Sequence, residues 1–366
     1  VVAGLPFLRL NISLPDHRVL PPSSETRRVV DEIEKAFPDR DTRPVKLALT
    51  FDEGRAPAHY DEIASYTERL LAVPGVRAVT SLTTIDLLER ELVLDYESGV
   101  LDELVAGGLG VVLSLFANGP TTLVDVSLVP DAQSVEAQRV LDDVRAVPPP
   151  PASSVQIGGD TAQLVDTKAS LITRVPWVIA YIMVVTFVAL FLQFGSLVIP
   201  AKAIVMNAAS ITASFGALVF IFQDGHLSGL LGFSEVGLIP SVIPVLIFAI
   251  AFGLSIDYEI FLISRIQEEY RATGDASLAV ARGLQRTALI ITGAAGVLVI
   301  VAAAFATSEL VFMKQLGVGL ALAIFIDATV VRALLVPATM QLMGGANWWA
   351  PAPLKRLHKR IGLGEI

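Results

Sequence analysis

From Val175 to Phe194 the chain runs for twenty residues without a charge, and four later stretches repeat the pattern. Leu238–Ile256 and Thr287–Ser308 are charge-free, Leu197–Phe222 carries only Lys202, and Gln315–Met343 carries only Asp327 and Arg332. About 20 predominantly apolar residues, wound as a helix, cross the hydrocarbon core of a bilayer. The pattern predicts five membrane-spanning helices, at 175–194, 197–222, 238–263, 287–307 and 315–341.

Upstream of residue 175 the apolar positions come in short, mixed periods. Ser24–Phe37 places Val29, Ile33 and Phe37 four apart, an amphipathic helix with a serine ahead of it as cap. Val45–Phe51 alternates as a half-buried strand, Ala58–Leu71 is helical up to Pro74-Gly75, and Val76–Leu82 returns to strand. Val111–Phe116 and Thr122–Val129 read as a hairpin across Asn118-Gly119-Pro120, followed by a helix over Ala132–Arg145 and a closing strand at Val155–Ile157. The β-α-β-β-α-β order predicts a ferredoxin-like layer of helices on an antiparallel sheet. Pro148–Pro151 is a stiff spacer inside that domain, and Gly158-Gly159 opens a polar helix, Asp160–Arg174, that feeds into the first span.

Composition sharpens the division. Residues 1–174 hold 16 Lys+Arg against 26 Asp+Glu, and the remainder 11 against 10. The expected fold class is therefore an α+β membrane protein, a water-soluble acidic domain over 1–174 followed by a five-helix bundle over 175–343 and a basic tail over 344–366. Val1–Pro6 reads as the tail of a further hydrophobic helix. Acidic balance argues against nucleic acid as a partner. With no cysteine in the chain, disulfides, iron–sulfur clusters and thiolate zinc sites are excluded. Cytoplasmic loops carry an excess of Lys and Arg. Arg265, Arg271, Arg282 and Arg286 put 264–286 inside, and Lys355, Arg356, Lys359 and Arg360 put the tail inside. Gln223–Gly237, with only Asp224 and Glu235, falls outside, as does the acidic domain.

The chemistry concentrates in the third span, Phe252-Gly-Leu-Ser-Ile-Asp257-Tyr258-Glu259. A carboxylate at membrane depth costs at least about 2.5–3.5 kcal/mol and is kept where it faces a bundle interior, a partner or a proton path. Asp257 with Tyr258 is the candidate proton relay, against the plainer reading of a structural carboxylate satisfied by a neighbour. Glu259 fits either the lining of a proton exit or a side chain snorkelling to the interface. Asp327 and Arg332, five residues apart, fit an imperfect charge-neutral pair, an arginine reaching for the interface, or a second relay element. Thr292-Gly-Ala-Ala-Gly296 and Gly317-Val-Gly319 allow helices to approach closely. Trp348-Trp349 beside the basic tail reads as an interfacial anchor. No phosphate-binding loop, no hydrolase signature and no metal-ligand spacing among His17, His59, His226 and His358 occurs, so neither an enzyme nor a cofactor or metal is expected.

Several of these stretches together resemble the MmpL-type branch of the RND transporter superfamily. They are Val155-Gln-Ile-Gly-Gly-Asp-Thr-Ala162, Phe191-Leu-Gln-Phe-Gly-Ser-Leu-Val-Ile-Pro-Ala-Lys-Ala203, Met206-Asn207, Gly253–Arg265, Phe325–Arg332 and Asn347-Trp-Trp-Ala-Pro351. The resemblance implies a twelve-helix fold in two similar halves, of which this chain is the C-terminal one, with 1–174 as an extracytoplasmic porter domain. It implies export of lipids or other amphiphiles across the plasma membrane, driven by the proton-motive force, with Asp257 and Tyr258 as proton relay. The implied partners are protons, membrane lipids, an amphiphilic substrate and the N-terminal half of the same transporter. A general drug or amphiphile efflux pump and a SecDF-like proton-linked translocation factor are the alternatives.

Overall fold

A computed structural model describes residues 2–37, 43–85, 90–99, 103–233 and 237–361. Contacts divide it into two compact units: residues 29–172, and residues 1–28 together with 173–366. The sequence pattern groups all of 1–174 together, whereas residues up to Arg28 pack with the helices.

In chain order the elements before the sheet are a 3-10 stretch Val2–Arg9, β1 (Ile12–Ser13) and α1 (Glu25–Ala36). The sheet unit then contains β2 (Val45–Phe51), α2 (Tyr60–Leu71), β3 (Val76–Thr80), α3 (Arg90–Ser98), α4 (Glu103–Ser114), β4 (Ala117–Asn118), β5 (Thr121–Leu128), α5 (Val135–Ala146) and β6 (Ser153–Gly158). Strands run in the order β3-β5-β2-β6, every neighbouring pair antiparallel, with β4 paired to β5. Alternation decides which face is buried. Val45, Leu47, Leu49 and Phe51 of β2 and Thr122, Val124, Val126 and Leu128 of β5 are buried, while Lys46 and Leu123 point out. Ile63, Tyr66 and Leu70 of α2 and Ala137, Leu141 and Val144 of α5 cover that face. Ser134 caps α5 by accepting the Ala137 N–H at 3.0 Å.

The structure departs from the sequence pattern at two places. Val111–Ser114 is the last turn of α4 rather than a hairpin strand. Leu109 and Leu113, four apart, are both buried, a helical spacing that the short apolar run on its own does not separate from a strand. The α1 stripe is also not a core face, for Val29 and Phe37 are 51% and 56% exposed.

The helical unit follows with α6 (Asp160–Phe194, in this unit from Thr173), α7 (Val198–Leu218), α8 (Ser228–Leu231), β7 (Ile239–Pro240), α9 (Val242–Thr273), α10 (Ala276–Phe305), α11 (Val311–Ile326), α12 (Val336–Met343) and α13 (Ala352–Ile361). Five helices among the described residues are long and apolar enough to cross a membrane: 160–194, 198–223, 242–273, 276–305 and 311–348. The last is interrupted by a π-helical segment, Asp327–Leu335. Val2–Arg9 lies on α7, where Phe7 meets Phe215 at 5.4 Å, and β1 pairs in parallel with β7. Gln223 fastens this junction, accepting the Asn11 N–H at 2.8 Å and donating to the Arg9 carbonyl at 2.7 Å. Glu235, the acidic loop residue, lies outside the described residues.

Candidate functional site

An α-helix turns about 100° per residue, so Ser255 and Glu259, four apart, share one face of α9, while Asp257 lies on the opposite one. Ser255 and Glu259 are buried, Glu259 to 3% exposure; Tyr258 is half-buried and Asp257 exposed. Glu259 therefore sits inside the bundle rather than at its surface, and Asp257 points out of the helical unit.

Opposite Ser255, Asp327 and Arg332 close an ion pair at 2.5 Å, both almost wholly buried. Five residues at 3.6 per turn end up about 140° apart, which is why the spacing alone suggests poor pairing. The segment from Asp327 to Leu335 is wound with i→i+5 hydrogen bonds, which put residues five apart one turn above each other. Arg332 also donates to the Ser255 carbonyl at 2.6 Å and lies over the Tyr258 ring, 4.9 Å from its centre. This links the buried pair to the tyrosine beside Asp257 through a cation–π contact.

Ser255 Oγ lies 2.9 Å from Asp327 Oδ1 and 2.5 Å from Asn207 Oδ1 of α7. A hydroxyl has one proton to give. Asn207 Nδ2 has no partner. Turning the Asn207 amide so that Nδ2 faces Ser255 puts the donors in order, the amide donating to the hydroxyl and the hydroxyl to Asp327. A cavity of about 10 Å³, room for roughly one water, opens among Asn207, Ser210, Ser255, Tyr258, Asp327 and Arg332.

Glu259 lies within electrostatic reach of Lys202, Arg332 and Asp327, yet its Oε1 and Lys202 Nζ are both buried without a hydrogen-bond partner. Four of the five residues singled out from the sequence thus converge: Tyr258, Glu259, Asp327 and Arg332. Asp257 alone faces away. Ser255, Asn207 and Lys202 join the cluster without having been singled out for it; their signal was simply polarity inside an apolar span. Among the described residues no group of three or more His, Asp or Glu side chains has the arrangement of a metal site.

The sequence profile of the MMPL family matches residues 18–362. The chain belongs to the MMPL family. A putative membrane protein of Streptomyces coelicolor is 38% identical over 366 residues, all of this chain and 45% of the relative. The trehalose monomycolate exporter MmpL3 of Mycobacterium tuberculosis is 34% identical over 362 residues, 99% of this chain and 36% of that protein. The mycolic acid-containing lipids exporter MmpL11 of Mycolicibacterium smegmatis is 37% identical over 244 residues, 66% of this chain and 26% of that protein. This MMPL chain, a multi-pass membrane protein, spans less than half the length of these curated relatives.

Proposed function

We propose that this MMPL chain is the C-terminal half of an RND-type transporter that exports lipids or other amphiphiles, driven by the proton-motive force, and that it is not an enzyme. Asp257 and Tyr258 are the proton relay, with Glu259, Asp327 and Arg332 in support. The observation that carries this reading is the closed Asp327–Arg332–Ser255 cluster lying against Tyr258 while the neighbouring Asp257 carboxylate faces outward. An outward carboxylate in a membrane helix calls for a covering partner, and the N-terminal half of the transporter supplies it. Two relatives bearing the names of lipid exporters favour an amphiphilic substrate.

The strand order β3-β5-β2-β6 with α2 and α5 as crossovers supports reading the sheet unit as a ferredoxin-like porter domain. Arginines at 265, 271, 282 and 286 and the basic α13 support a plasma-membrane orientation with the tail inside and the sheet unit outside.

The test is proton uptake by vesicles carrying the complete transporter, wild type against Asp257→Asn. Asparagine has the shape of the carboxyl but takes up no proton, so flux is lost while insertion and thermal stability stay unchanged. Equal flux in the two proteins would return Asp257 to a structural role.

A further inference from the structure

The relay leaves Lys202 without a task. It sits one turn into α7, its Nζ buried and unpartnered. Across from it on α9, Glu259 Oε1 is buried and unpartnered too. The two act on each other electrostatically, yet no ion pair closes between them. A few residues away Asp327 and Arg332 do close, at 2.5 Å. Charges buried purely to hold helices together close on a partner, because a buried charge or polar atom left alone is costly. Lysine has the flexible stem to do so. Ile199 and Ala203, beside Lys202, pack with Ile260 and Ile263, just after Glu259, so donor and acceptor lie in one region of the bundle, and water is a small ligand that can link such groups where no direct bond joins them. The other charged groups acting on Glu259 are Arg332 and Asp327 from the π segment. Both are occupied with each other and with Ser255.

We propose that Lys202 and Glu259 form a proton-exchange station at the end of the bundle where α7 begins, passing protons between Oε1 and Nζ through one bridging water. The inference rests on the relay reading above. At rest Glu259 is a carboxylate and Lys202 an ammonium. A proton arriving from the Asp257–Tyr258 side bonds to Glu259 Oε1 and neutralises it. Lys202 then releases one N–H proton to water at the α7 entry and becomes a neutral amine. Finally the Glu259 O–H proton passes to Lys202 Nζ, restoring both charges. One proton enters, one leaves, and the pair returns to its starting state.

The discriminating substitution is Lys202→Arg, because a guanidinium keeps charge and reach but does not give up its proton. Flux is measured in liposomes carrying the complete transporter and a trapped pH dye, under an imposed pH gradient. Lys202→Arg and Lys202→Met are expected to insert normally and to lose about a hundredfold in proton flux, the scale of a lost proton-transfer group. Wild-type flux in Lys202→Arg overturns the proposal, since a fixed positive charge would then suffice. If a single variant fails to insert, the double variant Lys202→Met/Glu259→Gln replaces it, as it buries no lone charge; lost flux supports the station and full flux overturns it. Asp257→Asn, run alongside, separates the two inferences. Flux unaffected by that change sinks the relay itself, whereas flux lost there but intact in Lys202→Arg removes only the Lys202–Glu259 station.

Discussion

Arg332 is 4% exposed and meets Asp327, Ser255 and Tyr258 at once. Its value to the fold lies in cancelling Asp327. Breaking a buried pair by removing one partner costs about 3–5 kcal/mol, because the other charge stays behind, whereas replacing both by apolar groups is often neutral. Arg332→Leu is therefore expected to lower stability by about that amount, and Asp327→Leu/Arg332→Leu to recover most of it. Unfolding of the purified transporter in detergent measures both. Proton flux separates the same variants differently: a pair that only holds the helices together leaves the double variant active, and a pair that orients Tyr258 leaves it stable and inactive. The second outcome is the expected one, since the guanidinium lies 4.9 Å from the Tyr258 ring centre.

Among the elements, close helix contact is made at particular glycines and not at every glycine of a small-residue stretch. A Cβ on Gly283 of α10 would meet Ile266 Cγ1 at 2.6 Å and the Ile266 backbone at 3.0 Å. One on Gly317 of α11 would stand 2.6 Å from the Ala302 carbonyl oxygen of α10. Gly293 and Gly296 meet nothing within 4 Å, so within the stretch Thr292–Gly296 the contact is made by Ala295, which is buried, and not by its glycines. Gly283→Val is thus expected to destabilise by about 1–3 kcal/mol through overpacking against backbone. Gly296→Val is expected to stay within about 0.5 kcal/mol, as substitutions touching nothing usually do. Thermal melts of the two variants side by side decide this. Where α9 ends and α10 begins, Glu269 of α9 holds Arg286 of α10 at 2.6 Å, a tie that keeps the hairpin registered where the glycine contact begins.

For the molecule as a whole, the five spans were legible because a run of about twenty uncharged, apolar residues matches the thickness of a bilayer and is rare in a water-soluble fold. The sheet strands β2, β5 and β6 were legible from alternation. What escaped had physical causes. Residues 90–98 and 103–114 form helices whose stripes are too short or too apolar to separate from loop or strand. The π winding at Asp327–Leu335 leaves no periodic mark, so the spacing of Asp327 and Arg332 suggests a pair but an imperfect one, and not the close contact observed. Lys202 and Ser255 were visible as polar residues in apolar spans, but a sequence does not say which neighbour a side chain faces. Their convergence, however, has an electrical consequence. Lys202, Glu259, Asp327 and Arg332, all ionised, sum to zero, so the resting cluster feels almost no pull from a transmembrane voltage. One added proton makes it a unit charge, on which the field acts with about 2.3 kcal/mol per 100 mV for a full crossing. The loaded cluster alone would then sense voltage, and an imposed potential without any pH difference should still drive protons through the complete transporter; a flux indifferent to potential would mean that the cluster never leaves neutrality.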